Sequence, residues 1–82
     1  MKLVYFAWVR EQVGRGEETV DLPDSIVTIA DLLAWLPTRG DEYTIFENAH
    51  ALRAAINQEH VDHSEPIKGA NEIAIFPPMT GG

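Results

Sequence analysis

The chain closes with Phe76-Pro77-Pro78-Met79-Thr80-Gly81-Gly82, and the group there that could do chemistry is the carboxylate of Gly82. Consecutive prolines fix φ, offer no N–H to a neighbouring strand and hold the residue before each in an extended conformation, so a strand arriving at Phe76 has to stop. Residues 77–82 would then project as a tail, and at roughly 3.3 Å per extended residue they reach about 20 Å. Gly81 and Gly82 lack a Cβ, which lets the terminal carboxylate follow a channel too narrow for any side chain. A free carboxylate is a poor electrophile. It becomes useful only after a partner converts it to a derivative with a better leaving group, such as an acyl-adenylate made from ATP. The acyl carbon could then accept sulfur as a thiocarboxylate or be joined to an amine as an isopeptide. On this reading the chain is a substrate and carrier that binds no cofactor of its own, and ATP is used by the activating enzyme.

The other candidates for chemistry are weaker. His50, His60 and His63 invite a metal because imidazole is the commonest metal ligand. His60 and His63 are three apart on an extended segment, however, which points them to opposite faces, so no metal site is expected. Glu17-Glu18 and Asp41-Glu42 could act as acid and base only if buried and perturbed, and adjacent carboxylates in turns are normally solvated. Trp8 reads as a packing aromatic and Trp35 as a helix-flank residue. Gly14-x-Gly16 lacks the rest of a dinucleotide fingerprint and reads as a turn. The chain has no cysteine, which removes disulfides, thiolate metal sites and thiol nucleophiles.

Size and charge narrow the field further. A chain of 82 residues holds one domain with one modest core, leaving little room for an enclosed active site. Six basic residues against thirteen acidic ones give a net charge of −7, which repels nucleic acid and anionic lipid but steers the domain toward a basic partner surface. Neither nucleic acid nor membrane is therefore expected as a partner. The longest apolar run, Leu3 to Val9, is too short to span a bilayer and lacks a cleavage pattern, so a soluble, cytoplasmic protein is expected.

The elements that must position the tail follow from the apolar pattern. Lys2 to Val9 is apolar at nearly every position and rich in β-branched and aromatic residues, the mark of a central strand. After a wide loop closed by Gly14-Arg15-Gly16, Glu17 to Leu22 alternates as a second strand. Thr28 with Asp31 three residues on has the form of a helix N-cap. Ile29, Leu32, Leu33 and Leu36 then make one apolar stripe of a helix that Pro37 and Gly40 close. Asp41 to His50 reads as a short helix or an ordered loop. Ala51 to Ile56 is a strand with Leu52, Ala54 and Ile56 on one face and Arg53 and Ala55 on the other. His60 to His63 returns as a short strand, and Glu72 to Phe76 is the last. The compact solution is an α+β domain over residues 1–76, a mixed sheet with one main helix on one face and the first and last strands adjacent in its centre. That is a ubiquitin-like β-grasp, with 77–82 as an extended Pro-Pro…Gly-Gly tail.

Several of these stretches resemble one family, the small subunit of molybdopterin synthase, a sulfur carrier of molybdenum-cofactor biosynthesis. Its tail pairs an aromatic with Pro-Pro, a small variable pair and Gly-Gly, as in Phe76 to Gly82. Val4-Tyr5-Phe6-Ala7-Trp8-Val9-Arg10-Glu11 is similar to the family's first strand and following Arg-Glu, Ala54-Ala55-Ile56-Asn57-Gln58 to its central hairpin, and Gly69-Ala70-Asn71-Glu72-Ile73 to the approach to its last strand. Asp41 to His50 matches least. The resemblance implies that Gly82 is adenylated by an enzyme related to the ubiquitin-activating enzymes, and that it takes sulfur from a donor. It also implies that the tail, through Pro77, Pro78, Thr80 and Gly81, enters the large synthase subunit of a heterotetramer. Sulfur would there pass to a cyclic pterin phosphate to build the dithiolene, with the catalytic groups on the large subunit. Phe6, Arg10, His60 and Phe76 are expected to form a partner patch at the root of the tail, since aromatics and arginine anchor interface centres. Departures from the family are Ile75, where relatives often carry a second aromatic, and His60, where an aliphatic is common. A thiamine-pathway sulfur carrier, a ubiquitin-like protein modifier and a non-catalytic β-grasp binding module are the alternatives.

Overall fold

The alternation of side chains along five short strands decides which face of the sheet carries the core. The computed structural model describes residues 1–78, and the expected tail residues Thr80, Gly81 and Gly82, together with Met79, lie outside the described residues. In chain order the elements are β1 (Lys2–Tyr5), α1 (Ala7–Val13), β2 (Glu17–Thr19), α2 (Ile29–Trp35), 3₁₀ segments Leu36–Arg39 and Asp41–Ala51, β3 (Arg53–Ile56), β4 (Glu59–Val61) and β5 (Glu72–Phe76). The strands form one sheet in the order β2-β1-β5-β3-β4. β1 and β5 run parallel, and the other neighbouring pairs are antiparallel. This mixed sheet with helices packed against it is the ubiquitin-like β-grasp, with the first and last strands adjacent as the apolar pattern implies.

Leu3 and Tyr5 of β1, Ile73 and Ile75 of β5 and Ala54 of β3 point to the helical side, where they meet Val9, Ile29, Leu32, Leu33, Leu36, Phe46 and Leu52 in a single buried cluster. All four stripe residues, Ile29, Leu32, Leu33 and Leu36, are completely excluded from solvent. Each such side chain contributes about 1.5–3 kcal/mol by leaving water, and truncating one to alanine costs about 2–5 kcal/mol because a cavity remains.

The start of α2 is fixed twice over. Thr28 Oγ1 accepts from the Asp31 N–H at 3.2 Å while the Asp31 carboxylate accepts from the backbone N–H groups of Thr28 and Val27 at 3.1 and 3.0 Å, the reciprocal capping box that the sequence suggests. The next two free N–H groups, of Ile29 and Ala30, donate to the carbonyls of Glu65 and His63. A loop from the far end of the chain thereby completes the helix terminus, whose first N–H groups have no partner within the helix.

Three expectations are corrected. The strand expected over Lys2 to Val9 stops at Tyr5, and Ala7–Val13 is helical. Val9 and Val13 are buried four apart, and Gly14 closes the helix in the left-handed region (φ 89°) with its N–H donating to the Arg10 carbonyl, a conformation that glycine adopts without a Cβ penalty. The connection between β1 and β2 is thus a helix and not a loop. Strand β2 ends at Thr19 and not at Leu22. Beyond it the ladder is extended by the chain start, since the Met1 ammonium donates to the Val20 carbonyl at 3.0 Å and the Val20 N–H donates to the Met1 carbonyl at 2.9 Å. The Asp41 segment, expected as a short helix or an ordered loop, is a 3₁₀ run kinked at Asn48 that buries Tyr43 and Phe46. No helix among the described residues is long and apolar enough to cross a membrane.

Candidate functional site

With the helices stacked on one side, the other face of the sheet is left open, and the sequence puts short side chains in its middle. β5 sends Glu72, Ala74 and Phe76 to this face. In the strand register Ala74 lies opposite Ala55 of β3 and Phe76 opposite Arg53, while Ala55 in turn lies opposite His60 of β4. Two alanines side by side make a low floor. Phe6, His60 and Phe76 stand around it, and Gln58 and Glu72 close the other end, enclosing a shallow trough of about 550 Å³.

Although they lie on the open face, Ala55 and Ala74 are only 4% and 7% exposed, because the larger residues overhang them. Phe6 is 49% exposed and Phe76 half-buried, so neither is a core residue. The Phe6 N–H donates to the Ile75 carbonyl at 3.2 Å, which holds Phe6 level with the end of β5, where Pro77 begins. The residue after Phe6, Ala7, has φ 53°, a left-handed conformation that costs an alanine about 1–2 kcal/mol. That bend turns the chain out of β1 directly into α1 and leaves Phe6 standing at the corner.

Of the residues expected to form the partner patch, Phe6, His60 and Phe76 therefore come together at the trough. Arg10 lines a separate depression along α1 with Trp8, Glu11 and Arg15. Its guanidinium lies so close over Gly16 that a Cβ there would come within 3.2 Å of it. Trp8, expected to pack, is instead 40% exposed. Pro77 and Pro78 leave β5 without regular secondary structure, half-buried and exposed respectively. The histidines take different partners: His60 stands on the open face, His50 is exposed, and His63 Nε2 lies 2.9 Å from the Leu52 carbonyl oxygen. Ala55, Ala74, Gln58 and Glu72 were not legible as site residues, although the alternation within β3 and β5 signals which of them share a face.

Glu18 also departs from the solvated carboxylate expected of it. Its side chain is 8% exposed. It accepts from the Tyr5 hydroxyl at 2.7 Å, the Tyr43 hydroxyl at 2.9 Å and the Arg39 guanidinium at 3.0 Å, with Arg15 at 3.3 Å. Burial alone would raise its pKa, but the hydrogen bonds from Tyr5, Arg39 and Tyr43 outweigh it and hold the carboxyl below its usual range. Burial first, and then the bond to Glu18, push the Tyr5 hydroxyl far above the usual tyrosine range. The cluster ties the edge strand β2 to both 3₁₀ segments, on the side of the sheet away from the trough. Its role is structural.

The chain is similar over nearly all its length to known proteins. The model of the ThiS family matches residues 3–82. The molybdopterin synthase sulfur carrier subunit of Escherichia coli is 34% identical over the whole of this chain and 99% of its own length, and that of Chlamydomonas reinhardtii is 36% identical over 100% and 98%. Among solved structures, molybdopterin converting factor subunit 1 of Pyrococcus furiosus superposes with a TM-score of 0.73 at 26% identity over 94% of both chains. SAMP1 of Haloferax volcanii superposes with a TM-score of 0.63 at 26% identity, over 100% of this chain and 98% of its own.

Proposed function

The chain belongs to the ThiS family, among the molybdopterin synthase sulfur carrier subunits, and from that premise we propose that it carries sulfur on the acyl carbon of Gly82 and delivers it to a pterin. In the first step the Gly82 carboxylate attacks the α-phosphate of ATP on an adenylating enzyme of the ubiquitin-activating type, releasing pyrophosphate and leaving the acyl-adenylate. Sulfide-level sulfur from a donor then displaces AMP and leaves the thiocarboxylate. Inserted into the large subunit of molybdopterin synthase, the tail gives its one sulfur to a cyclic pterin phosphate, a second charged chain supplies the other sulfur of the dithiolene, and water returns each Gly82 acyl group to a carboxylate. The catalytic groups belong to the large subunit, and the work is done in the cytoplasm.

What supports this reading above all is the position of β5. It is the middle strand of the sheet, its last residue is a wall of the apolar trough, and Pro77-Pro78 follow at once. A partner gripping Phe6, His60 and Phe76 therefore also holds the origin of the tail. Positioning of this kind matters because an error of about 1 Å at a reacting atom can cost roughly two orders of magnitude in rate.

The likeness to SAMP1, described as a small archaeal modifier protein, favours a second use of the same activated carboxylate, its attachment to an amine. The intact mass of the chain, isolated after coexpression with an adenylating enzyme and a sulfur donor, separates the two. Replacement of one oxygen by sulfur at the C-terminus is the expected result. Isopeptide-linked adducts would favour the modifier, and an unmodified chain would overturn the carrier reading.

A further inference from the structure

The hairpin joining β3 to β4 holds a residue whose backbone is strained and whose side chain reaches the trough. Ile56 and Glu59 are paired across the two strands, so Asn57 and Gln58 alone make the turn, and both have positive φ, 49° and 72°. A two-residue hairpin whose twist matches its strands requires this conformation, and glycine is the usual occupant of its second position. Asn57 has a clear reason to be present. Its side-chain oxygen accepts from the backbone N–H groups of Asn71 and Glu72 at 2.8 and 3.1 Å, and its own N–H donates to the Glu72 carbonyl at 2.9 Å. These bonds pin the turn to the start of β5.

Gln58 has no such reason. The bonds that pin the turn are made by Asn57 and not by Gln58, whose side chain is exposed. Yet it lines the apolar trough with Phe6, His60 and Phe76 and bears a left-handed conformation that an unbranched L residue adopts only at a cost. Glu72, its neighbour at that end of the trough, presents a carboxylate that can only accept, whereas the amide both donates and accepts. Interfaces bury an apolar centre inside a polar rim whose hydrogen bonds set register.

We propose that Gln58 is a partner-positioning residue, whose amide at the polar end of the trough bonds the backbone or an amide of the large subunit and fixes how that subunit sits over the Phe6–His60–Phe76 wall. This inference rests on the function proposed above. Its signature is two effects of opposite sign. Gln58→Gly removes the strain and the amide together, so the chain should melt at the same or a higher temperature while it docks more weakly. Gln58→Leu keeps the bulk and the strain but loses the amide, and should also dock more weakly.

The test titrates full-length chains, parent and both variants, against the purified large subunit and records thermal melts of the same samples. A loss of roughly five- to tenfold in affinity for both variants, the worth of one or two hydrogen bonds, with an undiminished Tm for Gln58→Gly, is the expected result. Parent-like affinity of either variant overturns the inference and leaves the carrier function standing. A fall in Tm of Gln58→Gly that matches its loss of affinity also overturns it, by making the residue merely structural. A parent chain that does not dock at all overturns the inference together with the reading beneath it.

Discussion

The imidazole of His60 leans on the ring of Phe76, with centroids 5.1 Å apart and planes at 49°, although β3 runs between their strands. The rings can meet over that strand because the residue opposite His60 is Ala55, too short to keep them apart. A tilted aromatic pair of this kind is worth about 0.5–1.5 kcal/mol beyond its area. Here it holds one wall of an open trough in place before any partner arrives.

Phe76→Ala should therefore weaken docking to the large subunit at least tenfold, as removal of a central aromatic anchor does. The loss of fold stability should be smaller than the 3–5 kcal/mol typical of a fully buried phenylalanine, since Phe76 is only half-buried. Titration and melting of one preparation check this, and equal losses in both would make Phe76 a packing residue.

Glu18→Gln should cost about 1–3 kcal/mol, because it removes the charge from a largely buried acceptor of hydrogen bonds. Its depressed pKa means that between the folded and unfolded values the unfolded chain binds more protons. The stability that Glu18 contributes is thus complete above the ordinary carboxylate range and lost as pH falls through its lowered pKa. Acid denaturation of the variant should lack that part of the slope.

Tyr5 supplies the alkaline counterpart. Its raised pKa means that its contribution is complete below the ordinary tyrosine value, about 10, and declines as pH rises above it. Tyr5→Phe should flatten the loss of stability in alkaline denaturation, and an unchanged curve would show that another group governs it.

Deleting Gly82 should abolish adenylation and sulfur transfer while leaving the melt unchanged, since the last residue of a chain, a glycine without a side chain, adds almost nothing to a core. Gly81→Val should do nearly the same by blocking passage. One alanine added after Gly82 displaces the carboxylate by about 3 Å and should be as damaging. Normal dithiolene synthesis by the untrimmed, extended chain would sink the carrier mechanism in this form.

Thr28→Ala should cost about 1 kcal/mol through loss of the cap, read as a lower melting temperature with unchanged docking, because the capping box lies on α2, on the helical side of the sheet.

The parts of the fold legible in the sequence are those where local chemistry and apolar period agree. Thr28 with Asp31, followed by Ile29, Leu32, Leu33 and Leu36, marks α2 by its cap and its stripe alike, and the β-branched and aromatic runs mark β1 and β5. α1 was hidden because Tyr5 through Val9 is apolar at every position, which erases any period. Only Val9 and Val13, four apart and followed by Gly14, betray it. Glu17 and Glu18 look alike in sequence, but strand alternation turns one to solvent and the other inward to Tyr5 and Tyr43. At the site, Phe6, His60 and Phe76 are conspicuous by type. The alanine floor is not, because a missing side chain leaves no mark until a register brings Ala55 and Ala74 together. Asn57-Gln58 reads as a turn between strands, but glutamine as a residue type does not announce the positive φ that Gln58 adopts.

The central place of β5 also decides how the domain bears force. Whatever pulls on the chain beyond Pro78 pulls along the axis of a strand that is hydrogen-bonded on one side to β1, in parallel, and on the other to β3. The load falls on both ladders in shear, where their bonds must yield together. Had the tail left from β2 or β4 at the sheet's edges, the same pull could have peeled the strand away one bond at a time. The β-grasp body thus holds the end of β5 by two ladders, so that a pull there would not begin to unravel the fold one bond at a time.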